Sequence, residues 1–330
     1  MNKRDFLLNL ATTITIGGLA TTAAHAQTTG YPNKPVKIIV AFPAGTGPDI
    51  VARIYADQLQ KAFGQAFLID NRPGAGSIIA AEAAAISPAD GYTLFFSVKA
   101  TMTIAPHVYP KAKFHPVKDF RPISQVLTLP HLITATPSAP FSNLTQLVDA
   151  AKKNPGKIDY ASLGVGSQSH VAMEYWAHQL GIKLNHIPYK SNPSTDVMGG
   201  IVSLFLEGSG SAVQLIKSGR VKALAVSGST RLPSLPDVPT VTEYKNGIDD
   251  DGIVGSTWHA FFAPKGTPDD VIMRLNSEIV KISRFPDVRQ RLLDIGAIAT
   301  GTSSAELATV MEKDYSLMGK IVRELQITAE

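Results

Sequence analysis

The chain has 330 residues, 44% hydrophobic and 18% charged, a globular balance with length for one large or two medium domains and a sizeable core. Its formal charge of +4 falls to about +3 without Lys3, Arg4 and Asp5 of the leader, and no basic block argues for a nucleic-acid partner. The lack of Cys excludes a disulfide framework and a lipoprotein attachment site.

Residues 1–26 read as an export signal: Lys3-Arg4, an apolar segment from Phe6 to Ala20, then the cleavage site Ala24-His25-Ala26. Lys3-Arg4-Asp5-Phe6-Leu7 also has the shape of a twin-arginine signal with Lys in the first position, so the export route stays open. No later stretch is long and apolar enough to span a bilayer, and the mature chain is expected to be a soluble periplasmic protein.

Val36 to Phe42 is a near-continuous apolar run, the pattern of a parallel strand covered on both faces. It enters Ala44-Gly45-Thr46-Gly47-Pro48-Asp49 and then a helix with Ile50, Val51, Ile54, Tyr55, Leu59, Ala62 and Phe63 on one face and Gly64 past its end. The first turn of such a helix has unpaired N–H donors at the positive end of its dipole, so the loop reads either as an anion cradle or as an ordinary βα turn. Phe67-Leu68-Ile69 is a second strand, Asn71 to Ser77 a second glycine turn, Ile78 to Ile86 a helix, and Thr93 to Ser97 a third strand. This βαβαβ order predicts a doubly wound parallel sheet.

Beyond the Pro-spaced segment 106–122, Ser124 to Thr128 and Leu132 to Thr136 are expected strands that cross into a second unit. Ser142 is the expected cap of a helix through Lys153. Ile158 to Ser162 then runs into Gly164-Val165-Gly166-Ser167-Gln168-Ser169-His170 and a helix ending near Gly181, repeating the opening arrangement. Strands around Ile187, Leu204 to Leu206 and Val221 to Val226 alternate with helices near Asp196 and from Ala212 to Ser218, and Leu232 to Pro239 and Asp249 to Gly252 read as linkers. Trp258 to Phe262 returns as a strand. Thr267-Pro268-Asp269-Asp270 predicts a helix start capped by Thr267, and Ser303-x-x-Glu306 is a capping box opening a final helix to about Leu325.

Several chemistries fail on spacing. Gly45-x-Gly47 and Gly74-x-Gly76 lack the third glycine of a dinucleotide fingerprint, and no cofactor is expected. His170, Glu174 and His178 follow i, i+4, i+8, which sets the two imidazoles roughly 12 Å apart along the axis, too far to share one metal ion. No G-x-S-x-G elbow supports a serine hydrolase, although Ser167 and His170 keep a secreted hydrolase as the alternative.

Tyr31-Pro32-x-Lys34-Pro35, Phe42-Pro43-x-Gly45-x-Gly47-x-Asp49, Asn71-Arg72-Pro73-Gly74-Ala75-Gly76, Pro88-x-Asp90-Gly91-Tyr92-Thr93-Leu94, Pro188-Tyr189-Lys190, Leu235-Pro236-Asp237-Val238-Pro239-Thr240 and Ala263-Pro264-x-Gly266-Thr267-Pro268 together resemble the Bug family over essentially the whole mature chain. These are extracytoplasmic solute receptors of tripartite tricarboxylate transporters. The resemblance implies an α/β periplasmic-binding-protein (Venus flytrap) fold, type II-like, with two domains joined by two crossing strands: 27–127 plus 242–330, and 128–241. It implies a monomeric, non-enzymatic receptor that closes on a small carboxylate and serves membrane subunits of a transporter or, as another option, a sensor kinase.

In the family, loops matching Phe42 to Asp49 (Phe42, Ala44, Gly45, Thr46, Gly47, Asp49) and Gly164 to His170 (Gly164, Gly166, Ser167, Gln168, Ser169, His170) pinch a carboxylate through backbone amides and waters. Departures from its pattern select the other candidate contacts. Ala44, Thr46 and Pro48 move a hydroxyl contact to Thr46. Lys99, just beyond Ser97, is expected either to pair with a second anionic group of the ligand or to sit solvated at the cleft rim. Glu207 replaces an Asp, and Gly208 and Gly210 reshape the distal pocket. Trp258 and His259 match an aromatic pair that suits a flat ligand such as an aromatic dicarboxylate, beside aliphatic di- and tricarboxylates; interdomain packing is the other role open to Trp258.

Overall fold

The computed structural model describes residues 30–244, 248 and 254–329, so the export signal and the Asp249–Asp251 run lie outside the described residues. The chain opens with β1 (Val36–Val40), α1 (Gly47–Phe63), β2 (Phe67–Asn71), α2 (Ile78–Ala85) and β3 (Thr93–Val98). It continues through α3 (Ala105–Val108) and α4 (Pro116–Asp119) to β4 (Phe120–Leu129), which Pro130 separates from β5 (His131–Ala135). The second unit follows with α5 (Leu144–Lys153), β6 (Asp159–Ser162), α6 (Gln168–Gln179), β7 (Asn185–Pro188), α7 (Ser194–Met198), β8 (Leu204–Gly208), α8 (Ser209–Lys217) and β9 (Lys222–Val226). The chain then returns as β10 (Thr257–Pro264), α9 (Asp269–Ile282), α10 (Pro286–Asp294), β11 (Ile298–Ala299) and α11 (Ser304–Glu324).

Two sheets result, ordered β11-β4-β10-β3-β1-β2 and β7-β6-β8-β5-β9. They share one logic. Each has three parallel strands, and beside the third lies an antiparallel strand that has just arrived from the other domain: β10 against β3, and β5 against β8. Because side chains alternate across a strand, Ile38, Val40, Phe96 and Phe261 pack toward α1 and α9, while Ile39, Phe95 and Phe262 pack toward α2 and α11. The carboxyl ends of β1, β3, β6 and β8 carry the loops singled out in the sequence, the edge where open α/β sheets bind ligands.

Local chemistry shifts some boundaries. Asn143, not Ser142, caps α5 by accepting from Gln146 N, and the Thr267 hydroxyl donates to Pro264 O, so Pro268 stands at the cap position of α9 without a side-chain bond. The Ser303–Glu306 capping box forms as read.

The last helix joins both cores. Leu307 and Met311 pack with the first-domain cluster, whereas Met318, Ile321 and Val322, further along the same stripe, pack with Tyr160, Val171 and Trp176 of the second. A second junction is made backbone to backbone: the start of α8 abuts the turn after α10, where Ser209 Oγ donates to Gly296 O at 2.7 Å and any Cβ on Gly210 would collide with the Ile295 carbonyl. Gly210 thus serves contact between the domains, a different role from the pocket reshaping expected of it. Since rigid backbone on the far side cannot give way, Gly210→Ala is expected to cost about 1–3 kcal/mol, lowering the melting temperature by about 2–10 °C in circular dichroism, while Gly47→Ala, with open space around its Cβ position, changes it by less than about 2 °C.

Candidate functional site

The first loop is held by one buried carboxylate. Asp49 Oδ2 accepts from Gly45 N at 2.8 Å and from Arg53 Nε at 2.9 Å, and its Oδ1 accepts from Asn71 Nδ2 at 2.8 Å. Asn71 Nδ2 also reaches Phe42 O at 2.9 Å, tying β2 to the turn. Burial pushes the Asp49 carboxyl up, but the bonds from Arg53, Asn71 and Gly45 outweigh it and hold it below its usual range. The carboxylate is therefore occupied within the loop and shapes it instead of meeting a ligand. The Thr46 hydroxyl donates to Pro43 O at 2.7 Å. What the loop presents outward is backbone: Ala44, Gly45 and Gly47 are exposed, and the amides of Gly47 and Asp49 have no acceptor among the described residues. Arg53 and Asn71 were missed in the sequence, although the i, i+4 spacing of Asp49 and Arg53 was the available signal.

The second loop is built on the same plan. Gly164 and Gly166 take positive φ, and Ser167 caps α6, its Oγ accepting from His170 N and donating to Gly164 O at 2.7 Å. Ser169 Oγ accepts from Leu163 N at 3.1 Å, and His170 Nδ1 accepts from Gly166 N at 3.1 Å. The His170 ring stacks on His186 with centroids 3.9 Å apart, and Glu174 accepts from the Tyr160 hydroxyl, so these two members of the polar stripe of α6 have separate partners. Among the described residues no three His, Cys, Asp or Glu side chains gather as metal ligands. The amides of Gln168 and Ser169 again lack an acceptor among the described residues. Gly166 lies against Val108 of α3, which packs in one cluster with Tyr160, Val171 and Trp176.

Around the crossing strands the structure departs from expectation. Lys99 is fully buried, with Nζ 3.5 Å from Asp314 Oδ2 and 3.4 Å from Ser256 O. Its charge is balanced inside the protein by a residue of α11, neither solvated at a rim nor left for a ligand anion. Trp258 is 5% exposed, packs with Phe262, and its Nε1 donates to the same Asp314 oxygen at 2.8 Å, so its indole is core and not a platform for a flat ligand. His259 is buried against Phe96, and Ser97 is wholly buried. Glu207 is buried at the end of β8, with the Ser194 hydroxyl donating to Oε1 at 2.7 Å; burial pushes its carboxyl up. His131, at the first residue of β5, was not singled out in the sequence, yet its electrostatic coupling to both Lys99 and His259 draws it into this cluster.

Residues 51–327 match the model of the tripartite tricarboxylate transporter family receptor. The chain belongs to this family. It is 35% identical to protein BugT of Bordetella pertussis over 282 residues, 84% of each chain. Two solved structures resemble it closely. One is R. palustris Rpa4515 with adipate (TM-score 0.78, 28% identity, 90% of this chain and 99% of that one); the other is MatC from Rhodopseudomonas palustris with bound malate (0.77, 29%, 88% and 100%). The two-domain binding-protein fold is thus shared with solute receptors of known carboxylate complexes.

In this receptor, Lys99→Met strands Asp314 as an unpaired buried charge and should cost about 3–5 kcal/mol, whereas adding Asp314→Asn, which still accepts from Trp258, should recover at least about half of the lost melting temperature. A second expectation concerns acid. Burial pulls His170 down to about 4, helped by the His186 charge, and His259 down to about 3, helped by His131. The unfolded chain binds protons at these groups below about 6.5 and the folded chain does not, so stability falls as pH drops from about 6.5 toward 4 and is complete above that window. His259→Phe should flatten the slope of unfolding free energy in that window by up to about 1.4 kcal/mol per pH unit; an unchanged slope would show that His259 is not held neutral.

Proposed function

We propose that this protein is an exported solute receptor that captures a small carboxylate between its two domains and delivers it to the membrane subunits of a tripartite tricarboxylate-type transporter. The observation that carries the reading is the pair of loops at helix starts, one per domain, whose side chains hold the backbone while the amides of Gly47, Asp49, Gln168 and Ser169 have no acceptor among the described residues. Arg53 offsets the Asp49 charge, so the first helix start stays open to an anion. Carboxylates in the adipate and malate complexes of the two similar proteins support the same ligand class.

On this reading the domains are 27–127 plus 242–330 and 128–241, with the C-terminal part of α11 lying across their junction. The protein acts as a monomer in the periplasm after cleavage near Ala26, binds without turnover and uses no cofactor. Domain closure would expel water from the amides, where each bond to a charged ligand is worth about 1.5–3 kcal/mol.

A thermal-shift screen of the mature protein over mono-, di- and tricarboxylates and amino acids tests this. At about a hundredfold excess over Kd, a true ligand stabilises by about 2.7 kcal/mol, a rise of about 5–10 °C. Recovery of the ligand unchanged after incubation is also expected; product formation, or no shift with any carboxylate, overturns the reading.

A further inference from the structure

Tyr109, the residue that follows α3, lies between two glycine turns that belong to different sheets. On one side is the turn from β2 into α2. A Cβ on Gly76 would stand 2.9 Å from the Tyr109 hydroxyl oxygen and 3.0 Å from its ring, so the backbone of this turn rests directly on the phenol. On the other side is the second loop: the Tyr109 hydroxyl donates to Val165 O at 3.5 Å, and the neighbouring Val108 packs on Gly166. The ring accordingly packs both with the cluster that holds Phe95 and Phe262 and with the cluster that holds Tyr160 and Trp176.

Both turns need to be held from outside. Gly74, Ala75, Gly76 and Ser77 all have positive φ, at 130°, 46°, 61° and 77°, a conformation that is costly for the two residues with side chains. Within the turn, Ser77 N donates to Gly74 O at 2.9 Å and Ile78 N to Ala75 O. A backbone of this kind persists where its surroundings hold it, and a phenol, with few rotatable bonds, is a stiff support. In the second loop the amides of Gln168 and Ser169 have no acceptor among the described residues, so its placement depends on contacts made elsewhere along it. We propose that Tyr109 is a positioning residue for the second loop, setting residues 164–170 against the 74–77 turn so that the two turns move as one unit. A ligand gripped by the second loop is then held in register with the first sheet through a side chain that does not touch it. This rests on the receptor reading for what the loop holds; the coupling between the turns is independent of any ligand.

Hydrogen exchange of the unliganded mature protein, read in peptides covering 74–78 and 163–170, tests the coupling. Tyr109→Ala should speed exchange in both by at least about fivefold; if that variant does not fold, Tyr109→Leu is read in the same way. Tyr109→Phe keeps the ring on Gly76 and loses the hydroxyl, so only 163–170 should exchange faster, by about two- to fivefold. Gly76→Ala, whose added Cβ meets Tyr109 first, should speed exchange in 163–170 at least about threefold, and this distant effect should vanish in the Tyr109→Ala background. Unchanged exchange at 163–170 in the Tyr109 variants, or a Gly76→Ala effect that stays local or persists without the tyrosine, overturns the inference. Calorimetric titration with L-malate and adipate carries the coupling to binding. For an acid that the wild type binds, Tyr109→Phe should raise Kd at least about threefold while the unliganded melting temperature stays within about 2 °C. An unchanged Kd overturns the positioning role and leaves the receptor reading standing; binding of neither acid bears on the receptor reading and leaves the exchange cycle to decide the inference.

Discussion

A loop that binds through its own backbone must keep amide donors unpaired, and unpaired donors do nothing to hold the loop in shape. Both loops of this receptor resolve that conflict with side chains. In the first, Asp49, Arg53 and Asn71 fasten the turn from behind; in the second, Ser162, Ser167, Ser169 and His170 take up the amides that are not meant for a ligand. The polar side chains of the two loops are therefore mostly scaffolding, and what the loops leave without a partner among the described residues is main chain. An acidic residue in the first turn of a helix would ordinarily repel an anion, and the Arg53 guanidinium 2.9 Å from the Asp49 carboxylate offsets that charge.

The region between the domains follows the same economy of charge. Lys99 and Asp314 neutralise each other where a lone buried ion would be prohibitive, and Trp258 completes the group by donating to Asp314. Asp314 lies midway along the α11 stripe, between residues packed on the first core and residues packed on the second. The final helix therefore adds a packed link to the two crossing segments of chain, and the Gly210–Gly296 contact adds a further one. The Gly210–Gly296 junction is tight because glycine at both positions lets backbones touch.

Much of this was legible in the residues. The apolar run of β1, the glycine turns and the Ser303–Glu306 box act locally, through neighbours a few positions away, and the structure has them as read. Local signals failed where a competing acceptor lay nearby: Thr267 turned its hydroxyl to Pro264 O, and Asn143 took the cap expected of Ser142. Helix α10 was not read, although Pro286 at its first position and Asp287 in its first turn were available start signals.

The chain by itself determined the strand and helix alternation, the two glycine loops at helix starts and the family, because those depend on short-range periodicity and on motifs kept in order. The tertiary structure alone decided the fate of Lys99 and Trp258. Each is a polar group whose role depends on which residue lies across from it, and Asp314 is 215 positions from Lys99 in sequence yet within 3.5 Å in space. Partners at such separation leave no spacing to read, and only the folded chain shows whether a charge faces a ligand or another charge.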